Sequence, residues 1–109
     1  MLHINVTDNI ATYLKRGGKI VCGNEGYQVQ FTFDSTWSKI TTPKKARFIW
    51  NDEYTDVTIS SAGVANVPRI DNTEVCLVGV YASEKNTTTP AKIPCYRSIR
   101  DYCCKERTD

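Results

Sequence analysis

The stretch GYQVQFTFDSTW, residues 26–37, sets Tyr27, Val29, Phe31 and Phe33 in alternation with Gln28, Gln30 and Thr32. Successive side chains of a strand point to opposite faces, so this rhythm describes a strand with one face on a core. Asp34-Ser35-Thr36 then turns the chain, with Asp34 expected to fold back on the turn backbone, and Trp37 follows. Such a Trp is expected to cap an open end of the core, its ring buried and its N–H close enough to the rim to find an acceptor.

The same period continues in both directions. Leu2, Ile4 and Val6 alternate in LHINV, and Ile20-Val21 begin a short apolar run. Ala46, Phe48 and Trp50 share one face of ARFIW, as Val57 and Ile59 do in TDVTIS. EVCLVGVY, residues 74–81, is apolar on both faces, which is the pattern of a central strand between two layers. Its Gly79 is expected to admit a neighbouring aromatic ring. KIPCYRSI, residues 92–99, places Ile93, Cys95, Arg97 and Ile99 on one side, and Pro94 marks an edge or the first residue of a strand.

Turn signals lie between these runs: Arg16-Gly17-Gly18, Gly23 to Gly26, Asp34 to Thr36, Asn51-Asp52-Glu53, Ala62-Gly63 and Asn86 to Pro90. Short strands so divided by polar turns imply an all-β sandwich or small barrel. At most one short helix fits: DNIATYLKRG reads as a single helix or a turn, the helix having Asp8 as its N-cap and Gly17 as its stop. The fold-specifying core is expected at Phe31, Phe33, Trp37, Phe48, Val78 and Val80.

A chain of 109 residues is the length of one domain. Residues 1–102 are expected to form it, with 103–109 (CCKERTD) a polar tail. A formal charge of +2 lacks the strong basic bias of a nucleic-acid binder. No apolar run is long enough for a membrane span, and the N-terminus lacks the pattern of a signal peptide, so cytosolic synthesis is expected. Five cysteines include no C-x-x-C pair, and free thiols are the reading for such a compartment. Cys22 and Cys76 are expected inside, whereas adjacent Cys103 and Cys104 are the candidates for a bridge.

Catalytic, metal and cofactor readings find no constellation. His3 is the one histidine and lies in a strand, so a Cys–His pair has a single candidate base. The cysteines and His3 have no recognised metal spacing, and Asp52, Glu53 and Asp56 read as solvated turn acids. KRGGK lacks the upstream Gly and following Ser or Thr of a phosphate loop. In PKKAR, alternation sends Lys45 and Arg47 to solvent, so the basic cluster reads as a strand face and no nucleic acid is expected. The chain is expected to be no enzyme and to need no cofactor.

The order of the motifs is more specific than any one of them. Phe33-Asp34, then Trp37, then Lys44 to Phe48, Val67-Pro68 and Val78-Gly79-Val80-Tyr81 follow one another over residues 18–101. This succession resembles a small immunoglobulin-like domain of structural proteins in tailed phages of Gram-positive bacteria. The resemblance implies an antiparallel sandwich of about seven strands. It also implies a non-enzymatic virion protein, synthesised in the host bacterial cytoplasm, that docks onto other virion proteins in multiple copies or as a homo-oligomer. Tail, baseplate or fibre attachment and capsid decoration or a head-fibre base all fit that role. The distal stalk common in related proteins is missing from this sequence, which favours a docking or decorating module. Strand addition is expected at Leu2–Val6 and Ile93–Ile99, through Ile4, Val6, Ile93 and Cys95, because both runs lie near chain ends. The alternatives are a carbohydrate-binding module, for which Trp37, Trp50 and Tyr54 are the clustered aromatics, and a phage-encoded inhibitor of a host protein.

Overall fold

Two Asp/Asn pairs set the hairpins from which the fold grows. Asp8 and Asn9 have φ of 53° and 63°, and Asn51 and Asp52 have φ of 50° and 62°. Two consecutive left-handed residues make the turn whose twist matches that of paired strands, and short polar side chains tolerate that conformation best. In the computed structural model, which describes residues 1–15 and 18–102, Asp8-Asn9 joins β1 (Leu2–Thr7) to β2 (Ile10–Leu14). Asn51-Asp52 joins β5 (Lys45–Trp50) to β6 (Glu53–Thr58). Of the helix or turn read from Asp8 onward, the structure has the turn, at Asp8-Asn9, and a hairpin arm in place of the helix. Asp8 serves the turn rather than capping a helix, and Ile10, Thr12 and Tyr13 favour a pleated backbone. Gly17 lies outside the described residues.

The remaining strands are β3 (Ile20–Val21), β4 (Gln28–Phe33), β7 (Val64–Asn66), β8 (Val75–Ala82), β9 (Asn86–Thr87) and β10 (Ala91–Tyr96). They form two sheets, one ordered β2-β1-β4-β7 and one ordered β3-β10-β8-β5-β6, with β9 paired to β8. The protein is all-β. Helical elements among the described residues include the turn α1 (Ser35–Ser38) and a 3-10 turn at Ile99–Asp101. Among the described residues, seven of the ten strands have five residues or more, and the extra three are two- or three-residue pieces at sheet margins. The pairing is not wholly antiparallel: β1 runs parallel to β4, and β3 runs parallel to β10.

The sheets share one hydrophobic cluster. Ile4, Val6, Val29 and Phe31 come from the first, and Phe48, Cys76, Val78, Val80 and Ile93 from the second. Of the six core residues read from sequence, Phe31, Trp37, Phe48, Val78 and Val80 are buried. Phe33 is half-buried at the rim, stacked between Phe31 and Trp37 at centroid distances of 6.0 and 6.1 Å.

At that rim the turn after β4 is tied to the first hairpin. Asp34 caps α1 by accepting from the Trp37 backbone N–H at 3.0 Å, and its second oxygen accepts from the Asp8 N–H at 2.9 Å. These backbone donors hold its carboxyl below the usual carboxylate range. Trp37 Nε1 donates to Asn9 Oδ1 at 2.9 Å while the ring is 1% exposed. The expected cap is in place, and its acceptor is a turn residue of β1–β2. Gly63 (φ 81°) lies in the loop between β6 and β7, where a Cβ would come within 2.9 Å of both Gln30 Nε2 and the Phe31 carbonyl oxygen. Gly79 has a different neighbour from the ring expected: a Cβ there would meet Thr88 Oγ1 at 3.5 Å and Pro90 Cα at 3.9 Å.

One edge assignment is overturned and the other narrowed. β1 lies between β2 and β4 and is no edge, and in β10 Ile93 pairs with β8 and Cys95 with β3, which leaves only the Ala91–Pro94 margin away from β8 without a strand partner. Ile4, Val6, Ile93 and Cys95 are core residues, each less than 5% exposed. Proximity to a chain end does not place a strand at a sheet margin; long-range pairing does. Pro94 is tolerated inside β10 because β8 pairs with Ala91–Pro94 while β3 pairs only with Cys95 and Tyr96.

Candidate docking surface

The histidine and the described thiols lie in different surroundings. His3 alternates outward on β1, while Cys22, Cys76 and Cys95 are free thiols inside the core. Burial, with the neighbouring thiols, pushes Cys76 and Cys95 up to about 12. At pH 8 on the order of 10⁻⁴ of either thiol is then ionised, and the thiolate is the nucleophile. Native protein should leave both unlabelled by iodoacetamide at pH 8 and label both in denaturant, read by peptide mass spectrometry. Rapid labelling of either in the native state would contradict their placement. Among the described residues, no three His, Cys, Asp or Glu side chains are grouped to hold a metal.

A cleft of about 460 Å³ opens beside α1 between Phe33, Ile40, Pro43, Lys44, Ile59 and Gly63. Lys44 is its one ionisable lining group. Its ammonium already donates to the Ile40 carbonyl at 3.2 Å and sits 5.2 Å from the Phe33 ring centroid. The three aromatics considered for sugar stacking do not share a face. Trp37 is buried, Trp50 packs half-buried against the core, and Tyr54 is exposed on the outer face. Tyr96 and Tyr102 instead line a separate groove of about 330 Å³ with Glu74, Pro94 and Arg97.

The margin of the second sheet carries a different kind of chemistry. β6 is six residues long and pairs with β5 on one side. The other margins are shorter or covered. β3 and β9 have two residues each and β7 has three, while β2 is crossed at its start by an Ile10–Thr89 bridge and a Thr89 N–H to Asn9 C=O bond of 2.9 Å. Among the described residues β6 is the longest open edge.

Its register fixes which backbone groups are left over. Trp50 and Glu53 flank a two-residue turn, so they form a hydrogen-bonded pair, and pairs of that kind recur every second residue. Phe48–Thr55 and Ala46–Val57 follow, and the ladder ends with Ile59 N–H donating to the Lys44 carbonyl at 2.9 Å. The N–H and C=O groups of Tyr54, Asp56 and Thr58 therefore point away from β5. An unpaired row of this kind is a template for an added strand.

The outer face behind that edge is held rigid by one carboxylate. Asp56 accepts from Arg47 Nε at 2.8 Å and Nη2 at 2.9 Å, and from Tyr81 Oη at 2.8 Å. The Arg47 guanidinium lies 3.9 Å from the centroid of the Tyr54 ring and 5.2 Å from that of Tyr81. Arg47 holds Asp56 below the usual carboxylate range, and Asp56 in turn raises Tyr81. A single surface ion pair adds little stability, but a planar fork clamped by an aromatic ring fixes the shape of the surface beside the edge. Sequence reading sent Lys45 and Arg47 to a solvated face. Arg47 does face outward, yet its charge is spent on Asp56, which is no free turn acid. No family model, curated protein or solved structure matches this chain.

Proposed function

We propose that this chain is a structural docking module of a bacteriophage virion, a β domain without catalytic duty that joins a larger assembly through the open edge of β6. One observation carries the docking reading: the outward row of Tyr54, Asp56 and Thr58, backed by the Arg47–Asp56–Tyr81 lock. Strand addition needs free main-chain donors and acceptors on a surface already organised, and this margin supplies both. The ordered motifs from Phe33-Asp34 to Tyr81 supply the virion, with tail attachment and capsid decoration both compatible with a domain that docks.

Mass spectrometry of purified particles tests the assignment. The chain should be present in stoichiometric amount, and Tyr54→Pro, which deletes an outward N–H while leaving the β5–β6 ladder intact, should reduce incorporation. Intact particles that lack the wild-type chain would overturn the virion reading. Undiminished incorporation of the proline variant would overturn the role of β6.

A further inference from the structure

We propose that the strand added at β6 is β6 of a second copy, in an antiparallel pair whose two-fold axis passes through Thr55. This rests on the docking reading of the edge and names its occupant. Only Tyr54, Asp56 and Thr58 offer outward groups, so each hydrogen-bonded pair across the axis must draw from those residues or their even-numbered continuations.

Charge and sterics then choose among the registers. Centring on Asp56 sets two Asp56 carboxylates face to face, and centring on Tyr54 sets Asp56 opposite Asp52 of the partner. Directly opposed like charges are destabilising. Centring on Val57 or Thr58 calls on Ser60, whose N–H is already bonded to the Val64 carbonyl at 2.9 Å as the chain turns toward β7. Centring on Thr55 avoids both problems. It pairs Tyr54 of each copy with Asp56 of the other, and each such pair exchanges two main-chain hydrogen bonds.

That register is also self-complementary on the outer face. Tyr54 carries the Arg47 guanidinium against its ring at 3.9 Å. Bringing Tyr54 opposite the partner's Asp56 therefore sets each carboxylate between its own Arg47 and the Arg47 of the other copy. At the ends, Asp52 comes opposite Thr58 of the other copy, next to Lys45, which pairs with Thr58 in the β5–β6 ladder. A contact in which the same patch serves both partners closes as a dimer rather than growing into a fibre.

A cysteine scan reads the register directly in a background carrying Cys103→Ser and Cys104→Ser. Thr55→Cys should cross-link two copies through residue 55 on mild oxidation. A non-hydrogen-bonded antiparallel pair has Cα atoms about 4.5 Å apart, within the roughly 4.4–6.8 Å span of a disulfide. Asp56→Cys and Val57→Cys should not link to themselves. Sedimentation of the wild-type chain should show a monomer–dimer equilibrium, and Tyr54→Pro should raise its dissociation constant about tenfold or more. Linking at 56 or 57 instead of 55 overturns this register, and a monomer up to about 1 mM overturns the dimer. A monomeric chain whose Tyr54→Pro form still fails to enter particles would leave the docking reading standing and remove this one.

Discussion

Trp37→Ala should lower the free energy of unfolding by about 3–5 kcal/mol, the range for truncating a buried large aromatic. The ring is 1% exposed and stacks on Phe33 at 6.1 Å, so removing it opens a cavity that the short α1 turn cannot collapse to fill. It also frees the Asn9 amide oxygen that accepts from Nε1 at 2.9 Å, loosening the turn between β1 and β2. Asn9 is exposed, so water replaces that bond, and the hydrogen bond itself should account for only about 1 kcal/mol of the total. Urea unfolding followed by far-UV circular dichroism, which does not need the lost indole signal, measures the effect. A change below about 1 kcal/mol would mean that Trp37 lies on the surface and that the rim is not closed as described.

Phe31→Ala should cost about the same, 3–5 kcal/mol. Phe31 is 3% exposed in the middle of β4, aligned with Ile4 of β1, and its ring stacks on Phe33 at 6.0 Å with 12° between planes. Thr32, the next residue, is exposed on the opposite face, and Thr32→Ala should stay within about 0.5 kcal/mol. The contrast between neighbours is the test of which face of β4 is inward. Phe31, Phe33 and Trp37 form one continuous stack, so the Phe31→Ala/Trp37→Ala double variant should cost measurably less or more than the sum. Strict additivity would argue that the stack is not a unit.

The two-residue rhythm made the core legible. Leu2, Ile4, Val6, Phe31, Ala46, Phe48, Val78 and Val80 all stand where alternation puts them, because a strand period transmits burial directly into sequence. Sheet order is a different kind of information. The parallel pairing of β1 with β4 joins segments separated by more than twenty residues, and nothing in Leu2–Val6 states that both of its margins are occupied. For the same reason β6 was hidden. A signal was present in Glu53-Tyr54-Thr55-Asp56, which is polar or amphipathic on both faces, as an outermost strand with only one covered side must be. The misread hairpin at Asp8-Asn9 has a local cause. An Asp before an apolar run fits a helix N-cap, but the same side chain also tolerates the left-handed conformation, and the Asn beside it decides for the turn.

The docking surface was legible only in fragments. Arg47, Asp56 and Tyr81 come from three strands adjacent in space, and their meeting depends on the register of β5 between β6 and β8. Alternation alone gave Arg47 an outward direction without giving it a partner. The consequence is physical: a face that would otherwise be a set of mobile, solvated charges is a fixed plate beside a free edge.

Hydrogen exchange at single residues along β6, measured across a dilution series, tests this most directly. The amides of Thr55 and Val57 should be protected at every concentration, because they bond to β5. Those of Tyr54 and Asp56 should exchange rapidly in dilute protein and become protected as concentration rises, while Thr58 gains less. Rapid exchange of Tyr54 and Asp56 at all concentrations would contradict pairing between copies, and protection of both at the highest dilution would contradict the open edge itself.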